Sequence, residues 1–270
     1  MISRSFLKWV GGKANAMEHL WEHLPREGTR FIEPFMGSAT VSLNMNYEDY
    51  ELYDVNKDLI FLCRWASRRP GSLIQKASQF FCAANNSEAS YYALRQAYNR
   101  STDMEERAVL FLYLNKHGYN GLSRYNQKGV FNVPYGRYKG PRFPEKEIVL
   151  FHQKMKRAKF ACRSLEKLRL RGLSEQTVIY NDPPYLPMTK TANFTAYSEA
   201  GFSINMQALL DKRAKSWQQK GAQVFVSNHA APILDAVYRN CRTKKEFLVD
   251  RSVSCKGDKR LPASEVILMY

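Results

Sequence analysis

The feature that most constrains the fold is a buried strand that two prolines bring to an abrupt end. The run Val178-Ile179-Tyr180-Asn181 is rich in β-branched and aromatic residues, which is typical of a strand inside a sheet. The strand is predicted to stop at Asp182, because Pro183 and Pro184 cannot donate hydrogen bonds to a neighbouring strand. A carboxylate therefore lies at the carboxyl end of a strand, where open α/β sheets bind their ligands.

The four residues from Asp182 to Tyr185 have the chemistry to hold a flat amino-heterocycle. The rigid prolines fix the carboxylate relative to the tyrosine ring. The carboxylate and a proline carbonyl can each accept one N–H, while the ring stacks on the face of the heterocycle. The same four residues could also form a plain proline turn with a solvated aspartate, so the rest of the chain has to decide between the two.

The charge of the chain points to a polyanionic partner. Its 270 residues carry a formal net charge of +16. Between Lys116 and Arg171, fifteen Lys or Arg residues stand against three acidic residues, an excess of 12 positive charges. Basic segments are often only solvated surface. Here glycine, asparagine and tyrosine are interleaved with the cations, which favours contact with nucleic acid.

Other classes of protein are disfavoured by features that the sequence lacks. No apolar run is long enough to span a bilayer, and the amino terminus has no signal-peptide pattern. The five cysteines are odd in number and contain no Cys-x-x-Cys pair, which indicates neither a zinc site nor a disulfide framework. We therefore expect a reduced, cytoplasmic protein that binds no metal and no membrane.

Two segments near the amino terminus predict a nucleotide-binding sheet. The run from Arg30 to Val41 predicts a strand, a loop containing Gly37 and a helix, the order in which Rossmann-like sheets bind nucleotides. The next predicted strand ends at Asp54. In nucleotide-binding sheets an acidic residue about 20 residues beyond the loop binds the ribose hydroxyls, and Asp54 lies near that spacing. A glycine-containing turn carrying Trp9 and Lys13 suits close approach to a ligand, although a capped helix start fits it equally well.

The middle of the chain predicts helices followed by an irregular surface. The pattern between Asn56 and Met104 is helical, whereas the stretch from Phe111 to Tyr138 has neither a helix nor a strand period. We interpret that stretch as a loop-rich surface able to stack on and hydrogen-bond to bases. Later, the polar and aromatic run from Thr191 to Tyr197 is a candidate lid.

The last part of the chain predicts a helix and three strands. His229 ends the first of these strands, where a hydrogen-bonded loop histidine is the favoured interpretation over a general base. The final two strands have no helix between them, which predicts an antiparallel hairpin at the sheet edge. The predicted elements are a helix over 206–217 and strands over 223–229, 246–249 and 265–270.

Taken in order, these segments resemble the Dam-type DNA adenine-N6 methyltransferases. The resemblance covers nearly the whole chain, and five segments carry it: Phe6–Lys13, Glu33–Gly37, Leu114–Tyr138, Asp182–Tyr185 and Thr191–Tyr197. It implies an α/β fold, a Rossmann-like class I methyltransferase sheet with an inserted, mostly helical DNA-recognition domain. The catalytic domain would comprise residues 1–55 and 145–270, and the recognition domain residues 56–144.

The resemblance also implies roles for individual residues, with double-stranded DNA as the partner of a monomeric enzyme. The catalytic residues would be Asp182, Pro183, Pro184 and Tyr185. S-adenosylmethionine would be the methyl donor, bound without a metal by Trp9, Lys13, Phe35, Gly37, Asp54 and Asp182. Lys8 would reach the first base pair of a GATC-like site, and Tyr119 would lie beside the flipped adenine. The later base pairs would be read by Leu122, Arg124 and Pro134. The whole DNA-binding set is Lys8, Tyr119, Asn120, Leu122, Arg124, Pro134 and Tyr138.

Two departures from the family pattern and two alternatives remain. Ala39 stands where the family usually has a second glycine, and we expect it to tighten that turn. Asn181 stands where smaller or apolar residues are common, with no direct catalytic consequence expected. A non-catalytic DNA-binding descendant is one alternative, but the intact Asp182–Tyr185 motif argues against it. The other is an RNA or protein-amide methyltransferase; such enzymes lack the insert from Tyr119 to Tyr138.

Overall fold

The computed structural model describes residues 2–185, 202–249 and 263–270. Seven strands within these residues form one mixed sheet: β1 Glu27–Glu33, β2 Asn46–Asp54, β3 Lys159–Cys162, β4 Thr177–Asn181, β5 Gln223–His229, β6 Thr243–Val249 and β7 Ala263–Met269. Their order across the sheet is β3-β2-β1-β4-β5-β7-β6. The predicted α/β class I methyltransferase sheet is thereby confirmed.

Helices connect the strands. Those in the described residues are α1 Met17–His23, α2 Thr40–Leu43, α3 Lys57–Arg68, α4 Pro70–Ser78, α5 Glu88–Arg100, α6 Met104–His117, α7 Glu145–Met155, α8 Ile204–Gln219 and α9 Leu234–Val237. Short 3-10 turns occur at Lys13–Ala16, Ala83–Asn85 and Tyr119–Gly121. None of these described helices is long and apolar enough to cross a bilayer.

Strand β4 lies inside the sheet, as its sequence predicts. It pairs in parallel with β1, where Phe31 faces Val178, and with β5, where Tyr180 faces Phe225. All five of its residues are buried, which explains the continuous apolar run because strands of a parallel sheet are covered on both faces. The predicted late hairpin is also confirmed: β7 is antiparallel to both β5 and β6. The basic loop between β6 and β7 lies outside the described residues.

One prediction about the middle of the chain was wrong. Residues Phe111 to His117 are the second half of helix α6 and not part of a loop, which begins only at Gly118. Every residue from Ala108 to Asn115 is buried. A helix that is covered on all sides carries no alternation of polar and apolar faces, so the sequence shows no helical period there.

The described chain forms two compact units. Unit 1 comprises Met1–Ala14, Gly37–Leu43 and Asp54–Cys162, and unit 2 comprises Asn15–Met36, Asn44–Tyr53 and Arg163–Tyr270. Unit 1 contains the helices from α2 to α7, and unit 2 contains most of the sheet. The expected recognition domain at residues 56–144 stays a prediction.

Unit 1 is organised around a buried carboxylate at the start of α3. Both Asp58 oxygens accept from Arg107, at 2.9 and 2.8 Å, and Oδ2 also accepts from the Tyr98 hydroxyl at 2.6 Å. Burial alone would raise the pKa of Asp58, but the hydrogen bonds from Arg107 and Tyr98 outweigh it, and the pKa lies below its ordinary value. One ionised side chain thus ties α3 to both α5 and α6.

Candidate functional site

The sheet places Asp182 directly after the end of β4. The strands on either side run parallel to β4, so Asp182 lies at the carboxyl edge of the sheet in unit 2. The loop that follows β1 is tied to the same edge, where the Met36 N–H donates to the Tyr53 carbonyl at 2.8 Å. Asp182 is half-buried and Pro183 is buried, whereas Pro184 is exposed. The preceding Asn181 bonds to strand β5, with its amide on the Phe225 carbonyl at 3.0 Å.

The residues after Asp182 are held by side chains from α8 and β7. The Pro184 carbonyl accepts from Gln207 Nε2 at 2.6 Å. The Tyr185 hydroxyl donates to Glu265 Oε2 at 3.0 Å, and the Tyr185 ring packs edge-on against His229 with centroids 4.5 Å apart. The ring is therefore held at its hydroxyl by Glu265 and by its contact with the His229 ring.

The carboxyl edge in unit 2 is electronegative. Burial raises the pKa of the Tyr185 hydroxyl well above its ordinary value, and the charges of Asp182 and Glu265 raise it further. The pKa of Tyr180 is raised in the same way by burial and by Asp182, Glu265 and the buried Glu33. Carboxylates that make a neighbouring phenol harder to ionise would equally stabilise a cation brought to this edge.

In unit 1, Trp9, Gly37 and Asp54 come together. A side chain at Gly37 would collide with the Trp9 indole, since a Cβ there would lie 2.7 Å from Nε1, and the Gly37 φ of +45° also favours glycine. The Gly37 N–H donates to Asp54 Oδ2 at 3.1 Å, and the Asn56 N–H donates to Oδ1 at 2.9 Å. Burial raises the pKa of Asp54, and these backbone bonds only partly offset the rise.

Two further residues shape the loops around this cluster. Lys13 is buried and its Nζ donates to the Gly11 carbonyl at 2.8 Å, so the lysine closes its own glycine turn. Ala39 has a φ of 55°, in the left-handed region that non-glycine residues avoid. The helix that was predicted to follow is only the four-residue α2.

Phe35 belongs to unit 2 and is anchored there. Its ring packs edge-on against Phe202 with centroids 5.2 Å apart and planes at 89°. Phe202 lies in the apolar cluster that covers β4 and β5, together with Leu210 and Trp217 of α8. Phe35 is therefore a half-buried ring in the loop after β1, and it packs against the apolar core through Phe202.

All seven predicted DNA-binding residues lie in unit 1, and Lys8 joins several of them. Its backbone exchanges two hydrogen bonds with the Asn115 side chain, at 2.9 and 2.7 Å. Its Nζ donates to the Lys116 carbonyl at 3.1 Å and lies 3.8 Å from the centre of the Tyr138 ring. A Cβ at Gly121 would collide with the Lys8 side chain, so only glycine allows this approach.

The loop after α6 presents Tyr119 and Asn120. The Tyr119 N–H donates to the Pro134 carbonyl at 2.9 Å, and its side chain is 41% exposed. Asn120 has a φ of 52°, and its N–H donates to the Tyr138 hydroxyl at 2.9 Å. Backbone bonds therefore hold an exposed aromatic ring in place, which suits insertion beside a base.

Arg124 is braced by Asn132, a residue that no sequence pattern singles out. Its Nε donates to Asn132 Oδ1 at 2.8 Å, and its Nη2 donates to the Asn132 carbonyl at 3.2 Å. The Arg124 side chain is otherwise exposed, and Leu122 beside it is half-buried. A guanidinium held along one side presents its remaining N–H donors in a fixed direction, as bidentate recognition requires.

Lys116, whose carbonyl accepts from Lys8, has an altered pKa. Burial lowers the pKa of Lys116 to about 8, and repulsion from the Lys8 ammonium lowers it as well. The charge of this corner of unit 1 therefore depends on pH just above neutrality.

Comparison with known proteins identifies the family. Residues 9–251 match the family described as D12 class N6 adenine-specific DNA methyltransferase. The chain is 41% identical over 269 residues to the DNA adenine methylase of Escherichia coli strain K12, and the alignment covers 99% of this chain and 95% of that protein. It is 40% identical over 268 residues to the enzyme of that name from Vibrio cholerae serotype O1, over 99% of this chain and 96% of that protein. A third, from Serratia marcescens, is 42% identical over 228 residues, 84% of each chain.

This chain belongs to the D12 class N6 adenine-specific DNA methyltransferase family. The resemblance stated from the motifs is confirmed. Among D12 class chains the reaction is adenine methylation of DNA, so the RNA, protein-amide and non-catalytic alternatives lose their support.

Sequence reasoning about this D12 class chain missed the side chains that hold the site residues. Gln207, Glu265 and Asn132 contact Pro184, Tyr185 and Arg124 respectively. Gln207 and Glu265 are distant in sequence from the groups that they hold, Asn132 lies eight residues beyond Arg124, and no local pattern marks any of the three. The candidate lid from Thr191 to Tyr197 lies outside the described residues.

Proposed function

We propose that the chain transfers the methyl group of S-adenosylmethionine to N6 of an adenine that is flipped out of a GATC site in double-stranded DNA. The single observation that carries this proposal is the position of Asp182, next to the buried Pro183 and the anchored Tyr185, at the carboxyl end of a central strand. Family membership supplies the reaction class. We further propose that the enzyme acts as a cytoplasmic monomer and uses no metal.

Asp182 and a proline carbonyl activate the amino group. The N6 lone pair of adenine is delocalised into the ring, which makes the nitrogen a poor nucleophile. Asp182 accepts one N6–H, and we assign the second to the Pro183 carbonyl because the Pro184 carbonyl already accepts from Gln207. Two acceptors move the nitrogen toward tetrahedral geometry and free its lone pair for attack. Positioning supplies most of the acceleration, and no covalent enzyme intermediate forms.

Tyr185 holds the extruded base. An adenine inside a duplex cannot reach Asp182, so it must leave the stack. The Tyr185 ring is fixed by Glu265 and His229, and it offers a face for stacking worth about 1–3 kcal/mol per base. This stacking offsets part of the free energy of unpairing.

The remaining predicted residues bind the methyl donor. When bound, S-adenosylmethionine supplies an electrophilic methyl group on a sulfonium. The carboxylates of Glu33, Asp182 and Glu265 fit this positive charge. Backbone N–H groups, among them those of Gly37 and Asn56, hold the Asp54 carboxylate, and its two oxygens have further lone-pair capacity for a ribose hydroxyl. We assign the rest of the donor site to Trp9, Lys13, Phe35 and Gly37.

The recognition residues lie within the helical insert at 56–144, with Lys8 added from the amino terminus. We propose that Tyr119 fills the space left by the flipped adenine and that Asn120 and Tyr138 support the same loop, since Asn120 donates to Tyr138. Arg124 reads guanine O6 and N7 at the last pair, as its braced fork allows. Apolar contacts to thymine methyl groups fall to Leu122 and Pro134.

The test measures transfer of labelled methyl from S-adenosylmethionine to four substrates: a duplex with one GATC site, the same duplex with one altered base pair, its single strand, and an RNA of the same sequence. We expect N6-methyladenine at the GATC duplex alone. Faster methylation of the RNA, or of the altered duplex, would contradict the proposed substrate. The logarithm of the DNA association constant should fall linearly with the logarithm of the salt concentration, with a slope of about 0.9 for each phosphate neutralised.

A further inference from the structure

We infer that Gln207 is a positioning residue for methyl transfer: it holds the Pro184 carbonyl and thereby fixes the Asp182–Tyr185 segment. The inference rests on the catalytic role proposed above for that segment. Gln207 is fully buried in the first turn of α8, and its Nε2 donates to the Pro184 carbonyl at 2.6 Å. The helix start is itself fixed, because the Gln207 N–H donates to the Ser203 carbonyl at 3.0 Å and the Ser203 side chain caps the helix.

The orientation of the Gln207 amide is determined by its partners. The Pro184 carbonyl can only accept, so the NH2 group must face it. On the other side, Gln207 Oε1 accepts from Asn228 Nδ2 at 3.2 Å and from the Tyr238 hydroxyl. Asn228 cannot turn over either, since its Oδ1 accepts from the His229 N–H at 2.9 Å. The three side chains, the His229 N–H and the proline carbonyl therefore admit one arrangement of donors and acceptors.

This network acts where the motif cannot hold itself. Proline nitrogens carry no hydrogen, so Pro183 and Pro184 donate no backbone bond that would fix the turn. The orientation of the peptide plane that contains the Pro184 carbonyl determines the direction in which Tyr185 leaves the turn. It also restricts the orientation of the preceding Pro183 carbonyl. Buried networks whose members are all satisfied enforce one geometry. A small displacement of such a group lowers the rate steeply, by about 10²-fold for 1 Å.

The decisive variant is Gln207→Glu, which keeps the length of the side chain and replaces the donor with an ionisable acceptor. As a carboxylate it turns an oxygen lone pair toward the Pro184 carbonyl and repels it. Once protonated, it donates an O–H in place of the lost N–H, and its other oxygen still accepts from Asn228 and Tyr238. Burial raises the pKa of such a carboxyl, so both forms are accessible between about pH 6 and about pH 8.5.

We expect kcat of Gln207→Glu to fall roughly ten- to a hundredfold at about pH 8.5. The ratio of its kcat to that of the parent enzyme should recover as the pH is lowered to about 6. The dissociation constants for duplex DNA and for S-adenosylmethionine should stay within about threefold of the parent values, because neither contact set includes Gln207. Gln207→Ala should lose the same activity without any recovery at low pH.

The matched control is Asn240→Ala, which removes a hydrogen bond to the same helix away from the motif. Asn240 Nδ2 donates to Asp211 Oδ2 at 2.6 Å. This variant should keep the parent kcat at every pH, whatever its melting temperature. Tyr238→Phe is the second test variant, since it removes one donor to Gln207 Oε1 and keeps the packing. It should lower kcat by a few-fold with unchanged DNA affinity.

Each result separates this inference from the proposed function. An inactive parent enzyme would overturn the proposed function itself. With an active parent, the inference is overturned if Gln207→Glu keeps kcat within twofold at about pH 8.5, or if its loss is the same at every pH. Should Gln207→Glu fail to fold, Tyr238→Phe decides alone, and a kcat equal to that of the parent overturns the inference.

Discussion

Replacing Arg107 by methionine tests whether a buried ion pair holds the helices of unit 1 together. Asp58 is 3% exposed and Arg107 is 13% exposed, so both charges are shielded from water. Without the guanidinium, the hydroxyl groups of Tyr98 and Tyr125 remain as donors to the Asp58 carboxylate. Removing one partner of a buried pair leaves an uncompensated charge, which costs about 3–5 kcal/mol. We expect Arg107→Met to lower the free energy of unfolding by that amount.

The control is Lys76→Met, which breaks an ion pair on the surface of the same unit. Lys76 Nζ lies 2.5 Å from Glu105 Oε2, nearer than the 2.8 Å between Arg107 and Asp58. Both side chains of the control pair reach water, which screens their attraction, so its loss should have only a marginal effect. Burial and not distance should therefore decide the ranking of the two variants.

The assay is urea unfolding followed by far-ultraviolet circular dichroism for the parent and three variants. The third variant, Arg107→Met with Asp58→Asn, removes both charges and should regain part of the lost stability. If Arg107→Met is no less stable than Lys76→Met, the buried pair does not organise unit 1 and the reasoning is refuted.

Three further predictions concern DNA reading, loop strain and pH. Arg124→Ala should relax selectivity at the last pair of GATC by about 1–3 kcal/mol, measured as initial methylation rates on duplexes differing only there; equal loss on every duplex would make Arg124 a phosphate contact. Ala39→Gly should raise the melting temperature, because relief of roughly 1–2 kcal/mol of left-handed strain exceeds the ~0.5–1 kcal/mol entropic cost of glycine, and a lower value would count against strain at φ 55°. DNA affinity should fall as the pH rises through about 8, where Lys116 loses its charge. Lys116→Met should abolish this pH dependence of the dissociation constant. An unchanged pH dependence would assign the titration to another group.

Local patterns predicted the strands and the ligand loops because the causes are themselves local. Strand β4 ends where the prolines begin, and β2 ends at Asp54, within one residue of the expected positions. The hairpin of β6 and β7 followed from the lack of a helix between two apolar runs. The placing of Asp182 at the carboxyl edge needed only the parallel order of its neighbours.

Tertiary contacts decided what the sequence could not predict. Helix α6 was missed because burial on all sides erases its period, as Ala108 to Asn115 show. Lys13 was expected to face a ligand, yet its ammonium also closes its own turn on Gly11. Gln207 sits in a helix without any pattern that separates it from other polar residues, and only the fold brings it to Pro184.

The most direct test of the central claim is the single-turnover rate of methyl transfer by Asp182→Ala on a duplex with one GATC site. Asp182 is proposed as one of the two groups that accept a hydrogen bond from the reacting amino group. Loss of one preorganised electrostatic partner lowers the rate by about 10²–10³-fold. The duplex dissociation constant, measured in parallel, should match that of the parent because the recognition residues lie elsewhere. A rate at least a hundredfold lower with unchanged DNA binding is the predicted result. Turnover within tenfold of the parent would contradict the assignment of Asp182 as the group that activates adenine N6.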